Sequence, residues 1–77
     1  MKKIQILGSG CAKCQKLATV ADAAARAIGL PYEIEKVTDM KQIMSFKVMS
    51  TPALVVDGQV KLSGRVPTVE EAERLLR

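Results

Sequence analysis

Two cysteines are the most chemically distinctive residues of this sequence. Cys11 and Cys14 are separated by two residues and directly follow a Gly-Ser-Gly stretch at positions 8–10. Thiolates are both nucleophiles and soft metal ligands, so this spacing is typical of disulfide exchange or metal binding. Cysteines can also be simple buried hydrophobic residues. The small and flexible residues before this pair argue against that interpretation.

The segment that carries the cysteines is predicted to be a helix, about residues 12–28, preceded by a strand at 2–7. Its apolar residues recur at spacings of three and four. They are Cys14, Leu17, Ala21, Ala24, Ala25 and Ile28. Gly29 and Pro31 are typical of a helix end. Cys11 is therefore expected at the N-cap of the helix, and Cys14 one turn further in with its sulfur on the core side.

A helix start favours an anionic sulfur at Cys11. The first backbone N–H groups of a helix lack internal partners, and the helix dipole adds partial positive charge there. Lys13 and, less directly, Lys16 contribute further positive charge. We therefore expect Cys11 to be the nucleophile that attacks a disulfide and Cys14 to resolve the mixed disulfide. Gly10, Ala12 and Lys13 are expected to contact the substrate.

The rest of the chain supplies the framework for this segment. Residues 32–37 predict a second strand, and Thr38 is expected to cap a short helix at 39–46, with Met40, Ile43 and Met44 on one side. Segments 53–56 and 59–62 flank Asp57-Gly58, a strong signal for a type I′ hairpin. Thr68 and Glu71 form a capping-box pattern that opens a final helix.

The order β-α-β-α-β-β-α predicts an α/β fold with a four-stranded mixed sheet flanked by helices, as one domain over residues 1–77. The helix-terminal C-x-x-C, the later Thr51-Pro52, the hairpin and the last helix resemble the thioredoxin/glutaredoxin superfamily across nearly the whole chain. The Gly-x-Gly-Cys-x-x-Cys opening and the Thr-Pro-x-x-x-Val-Asp-Gly segment are similar to small thioredoxin-like proteins called redox-active disulfide proteins. The fold expected is a minimal thioredoxin-like one.

The resemblance implies roles for residues far from the cysteines. It implies that the Thr51–Pro52 peptide bond is cis and that Pro52 lies against the active-site sulfurs. It also implies that the backbone of Thr51 binds an extended substrate. Gly64 matches a glycine that lets the chain pass close to the site. Gln5 stands where thioredoxins carry a buried acid that assists the resolving thiol. Lys13 replaces the small residue or proline usual at its position.

Metal binding is the principal alternative. A closed zinc site needs four ligands, and the chain has no His and only two Cys. A zinc-bridged dimer with four thiolates remains open. The opening of the chain also resembles heavy-metal-associated domains, which bind Cu(I) between two thiolates. Those domains usually carry Met where this chain has Ser9, and their element order is β-α-β-β-α-β. A third alternative is a non-catalytic adaptor.

The charge pattern excludes some partners. The net charge is +4, but the 12 basic residues are spread along the chain, and Tyr32 and Phe46 are its only aromatic residues. This pattern disfavours nucleic-acid binding. The apolar stretch after Met1 is too short for a signal peptide or a membrane span. We expect a cytoplasmic monomer without a cofactor beyond the Cys11–Cys14 disulfide, whose partners are protein disulfides and a reductase or glutathione.

Overall fold

The computed structural model describes residues 2–8, 12–48 and 50–77. Within these residues, the chain forms four strands and three helices in the predicted order. They are β1 (Lys2–Leu7), α1 (Ala12–Ala27), β2 (Tyr32–Val37), α2 (Met40–Ser45), β3 (Ala53–Val56), β4 (Gln59–Ser63) and α3 (Val69–Leu76). None of the helices in the described residues is long and apolar enough to cross a membrane.

The strands form one mixed sheet in the order β2-β1-β3-β4. β1 pairs with β2 in parallel, with Ile4 opposite Ile34, and β3 runs antiparallel to both β1 and β4. Parallel neighbours need a crossover connection, and α1 provides it. The α/β architecture with a four-stranded mixed sheet is therefore confirmed.

The core is built from aliphatic side chains on both faces of the sheet. The larger cluster packs α1 and α3 against β1 and β3, and it includes the fully buried Ala21, Ala24 and Ala25 of α1. These small side chains let α1 pack close to its neighbours, which include α3. The smaller cluster lies on the other face, where Ile43 of α2 belongs to the same cluster as Leu7 and Val55.

The β3–β4 hairpin has the predicted turn. Both central residues have positive φ, 51° at Asp57 and 83° at Gly58, which is the requirement of a type I′ turn. The Asp57 carboxylate also accepts a hydrogen bond from the backbone N–H of Lys3 at 2.9 Å. The hairpin is thereby tied to the start of β1.

The expectation about the N-cap of α2 was wrong. Its N-cap is Asp39, not Thr38, and the Asp39 carboxylate accepts a hydrogen bond from the Lys41 N–H at 2.8 Å. A charged acceptor suits the positive end of a helix better than a hydroxyl does. Of the three apolar residues expected on one face, only Ile43 is buried, while Met40 and Met44 are 62% and 68% exposed. Their spacing still places all three on one side of the helix, as expected, and the core covers only the middle of that side.

The capping box before α3 forms only in part. Thr68 is the N-cap, and its hydroxyl accepts a hydrogen bond from the Glu71 N–H at 3.1 Å. The Glu71 side chain does not reach back to the cap, because both of its oxygens accept hydrogen bonds from the Arg65 guanidinium. A bidentate, charge-assisted pair is stronger than a single bond to a backbone amide.

Candidate functional site

The site is organised around the start of α1. The helix begins at Ala12, the residue after Cys11, and Cys14 lies in its first turn with only 5% of its surface exposed. Ala12 and Lys13 are exposed on the same turn. Cys11 and Gly10 lie outside the described residues, so their expected roles stay predictions. The core-side placement expected for Cys14 agrees with its burial.

Gly8 forms the floor beneath the Cys14 sulfur. It directly follows β1, is buried, and donates a backbone hydrogen bond to the Val37 carbonyl at 3.0 Å. A Cβ at this position would overlap the Cys14 Sγ and lie 3.9 Å from the Thr51 Cβ. The structure thus brings Cys14 and Thr51 together across Gly8. Sequence reasoning treated Gly8 only as part of a turn, although glycine at a strand end can also mark a close backbone approach.

The segment before β3 is the second component of the site. The Thr51–Pro52 peptide bond is cis, the form that the resemblance implies. Pro52 is fully buried, whereas Thr51 is exposed at the surface. The Pro52 carbonyl accepts a hydrogen bond from the Gly64 N–H at 2.8 Å. Gly64 has a φ of +82°, and a Cβ there would lie 2.6 Å from the Ser50 Oγ. The segment before β3, which contains Ser50 and Pro52, is therefore packed tightly against Gly64, the residue after β4.

A small cavity of about 70 Å³ adjoins Cys14. Its lining consists of Ile6, Gly8, Cys14, Gln15, Lys36 and Thr38. The volume is sufficient for ordered water, which needs roughly 10–15 Å³ for each molecule and polar groups to bind. Lys36 and Thr38 supply such groups on the β2 side. Among the described residues, no carboxylate lines this cavity.

Gln5 is the residue that the resemblance aligns with the buried acid of thioredoxins. Ile6, not Gln5, faces the cavity beside Cys14. The Gln5 side chain instead donates a hydrogen bond to the Glu35 carboxylate at 3.1 Å on the neighbouring strand. Successive side chains of a strand point to opposite faces of the sheet, which separates Gln5 from Ile6.

The charges around the site are positive or paired. α1 has no acidic residue in its first turn, where Lys13 lies, and Lys16 follows one turn later. Arg65, next to Gly64, is paired with Glu71. The hydrogen bond from Arg65 holds the pKa of Glu71 below its ordinary value of 4.5, and the same bond raises the pKa of Arg65. Within the described part of the chain, no group of three or more potential ligands could hold a metal ion.

The α1 crossover between parallel strands, the cis-proline before β3 and the helix that begins at a C-x-x-C segment define a thioredoxin-like protein. A family model described as "Thioredoxin domain" matches residues 2–77, and the chain belongs to the thioredoxin family.

Two curated relatives are named thioredoxin. The chain is 43% identical over 76 residues to the one from Methanothermobacter thermautotrophicus, an alignment that covers 99% of each protein. It is 35% identical over 77 residues to the one from Methanocaldococcus jannaschii, which covers all of this chain and 88% of that relative. These similarities support a thiol–disulfide oxidoreductase role in general.

Proposed function

We propose that this chain exchanges disulfides with partner proteins through Cys11 and Cys14. The observation that carries the proposal is the start of α1 directly after Cys11, with Cys14 turned into the core in the first turn. A sulfur immediately before a helix start is favoured as an anion, and the thiolate is the attacking species. The sulfur one turn later is less accessible to an outside disulfide but close enough to close a small ring.

The exchange proceeds in two steps. The Cys11 thiolate attacks one sulfur of the partner disulfide, whose S–S bond breaks, and the other partner sulfur leaves as a thiolate that takes a proton from solvent. Cys14 then gives its proton to solvent and attacks the Cys11 sulfur as a thiolate, which breaks the bond between Cys11 and the partner. The second partner sulfur leaves as a thiolate and takes a proton from solvent. The partner departs with two thiols, and the chain keeps the Cys11–Cys14 disulfide. A reductase or glutathione returns the two electrons.

Residues around the sulfurs position the substrate in this proposal. Thr51 is exposed and lies near Cys14 across Gly8, so its backbone can pair with an extended substrate segment. Ala12 and Lys13 are exposed on the first turn of α1 and contact the same segment, together with Gly10. The protein acts as a cytoplasmic monomer, without a metal or an organic cofactor.

The proposal is tested by thiol chemistry on three proteins. The reduced wild type should reduce a small test disulfide with loss of two thiols. The Cys11→Ser variant should be inert, and Cys14→Ser should stay linked to its partner as a mixed disulfide. Alkylation of Cys11 against pH should have a midpoint below the free-thiol value of about 8.5. A wild type as inactive as Cys11→Ser would end the proposal.

Anaerobic titration with Cu(I) and Zn(II) separates the metal-binding alternative. Tight stoichiometric binding without exchange activity would favour it. The adaptor alternative instead requires that the double serine variant keeps its cellular function.

A further inference from the structure

An open groove runs along α1 away from the cysteines. Its volume is about 450 Å³, and it is lined by Ala12, Gln15, Lys16, Thr19, Val20 and Val66. One end lies at Ala12, the first of the two residues between the cysteines and the first residue of α1. The other end lies near Thr19 and Val20, two turns further along the helix. The groove is therefore continuous with the candidate site.

The groove has an apolar floor. Val20 and Val66 are half-buried and pack against the main core, so their positions are fixed. The Thr19 hydroxyl donates a hydrogen bond to the Gln15 carbonyl at 3.1 Å. Because the hydroxyl is hydrogen-bonded within the helix, the methyl group of Thr19 is the part of the side chain that can contact a ligand in the groove. Side chains of Ala, Thr and Val together suit an apolar side chain of moderate size.

The rim of the groove is positively charged. Lys16 is exposed on the rim, and Lys13 is exposed one helical turn before it. Of the described residues that line the groove, none is acidic. Asp22, the first acidic residue along α1, is bound to the Tyr32 hydroxyl and the Arg26 guanidinium. The charge of the rim is thus complementary to an acidic ligand.

We propose that this groove docks an extended segment of the partner protein that adjoins the partner's reactive cysteine and carries one apolar and one acidic side chain. The apolar side chain rests on Val20 and Val66, and the carboxylate pairs with Lys16. This inference rests on the proposed function, because the groove is useful only if a partner cysteine reaches the helix start.

The length of the groove sets the position of these side chains in the partner. Ala12 and Thr19 are seven helical residues apart, which is about 10 Å along the axis. An extended chain advances about 3.3 Å for each residue. The apolar and acidic side chains therefore lie within about three residues of the partner cysteine.

Two synthetic peptides test the docking. Each is a single-cysteine peptide joined by a disulfide to 2-mercaptoethanol, with Glu two residues and Leu three residues from the cysteine on both sides. In the second peptide, Lys replaces each Glu. The wild type should reduce the Glu peptide several-fold faster than the Lys peptide at low salt. This ratio should fall toward one in 0.5 M salt, because salt screens exposed charges.

Charge reversal on the protein identifies the groove as the origin of the preference. Lys16→Glu should invert the ratio of the two rates, and a ratio avoids any effect on the Cys11 thiolate common to both peptides. Lys61→Glu makes the same charge change on β4, outside the groove, and should keep the wild-type ratio. An unchanged ratio in Lys16→Glu would overturn the docking proposal. Inertness toward a small neutral disulfide would instead overturn the proposed function.

Discussion

Gly8 and Cys14 are packed so closely that position 8 has no room for a side chain. A Cβ on Gly8 would overlap the Cys14 Sγ and lie 3.2 Å from the Cys14 Cβ. The first atom in the way is the Cys14 sulfur itself, so a side chain at position 8 would have to push that sulfur aside. The backbone after β1 therefore determines where the Cys14 sulfur sits.

Replacement of Gly8 by Ala should displace the Cys14 sulfur. We expect a loss of about 1–3 kcal/mol in the free energy of unfolding, the usual cost of overpacking a core position. The second step of the exchange should slow more than the first, because only that step needs the Cys14 sulfur. Urea unfolding and single-turnover kinetics measure the two effects. In a Cys14→Ala background, Gly8→Ala should cost less, and an equal cost would contradict the contact.

Gly64 is constrained in two separate ways, by its φ of +82° and by the Ser50 Oγ. Gly64→Ala should lower the free energy of unfolding by about 1–2 kcal/mol because of the left-handed backbone alone. The contact of the new methyl group with Ser50 should lower it further. Ser50→Ala should relieve only the second part. Gly29→Ala is the control for the first part, because Gly29 has a φ of +70° and no atom within 4 Å of its would-be Cβ. Equal costs at Gly64 and Gly29 would show that the Ser50 contact has no effect.

The framework of the fold could be predicted closely from local patterns. β1 and β2 have the predicted bounds, because apolar runs and alternation end at clear glycine and proline signals. The Asp57-Gly58 turn followed from its own residue types. The N-cap of α2 could not be predicted in this way, because Thr38 and Asp39 are both good N-cap residues. Which of them caps the helix depends on where the first unpaired backbone N–H lies.

The surroundings of Cys14 could not be predicted from local patterns. Lys36 reaches the cavity because the parallel register pairs it with Ile6, a relationship that depends on how β1 and β2 align. The contact of Gly8 with Cys14 depends on how α1 crosses the sheet. Both relationships are long-range, so periodicity and capping signals carry no information about them.

Lys36 is the only charged residue in the described lining of the cavity beside Cys14. We expect its positive charge to stabilise the negative charge that develops on the Cys14 sulfur during the second step. Lys36→Met should therefore slow the second step at neutral pH, and Lys36→Arg should preserve most of its rate. Glu35→Gln is a matched control, because Glu35 is next in sequence but binds Gln5 outside the cavity. A wild-type rate for Lys36→Met would refute this role.

The Arg65–Glu71 pair should make stability depend on pH below about pH 5. Hydrogen bonds from Arg65 lower the pKa of Glu71 from its ordinary value of 4.5. The unfolded chain therefore binds this proton more readily, so the stabilisation is complete above pH 4.5 and disappears as the pH falls through the lower value of the folded state. Glu71→Gln should be less stable than the wild type at pH 7, and this difference should vanish near pH 2.

Glu70→Gln is the control for this pH dependence. Glu70 shares the first turn of α3, so it has the same relation to the helix dipole, whereas the Arg65 guanidinium bonds to Glu71. Urea unfolding of the three proteins at several pH values compares the two glutamates directly. We expect the larger pH-dependent loss in Glu71→Gln. Equal losses in the two variants would mean that the helix dipole, not the pairing with Arg65, stabilises the Glu71 carboxylate.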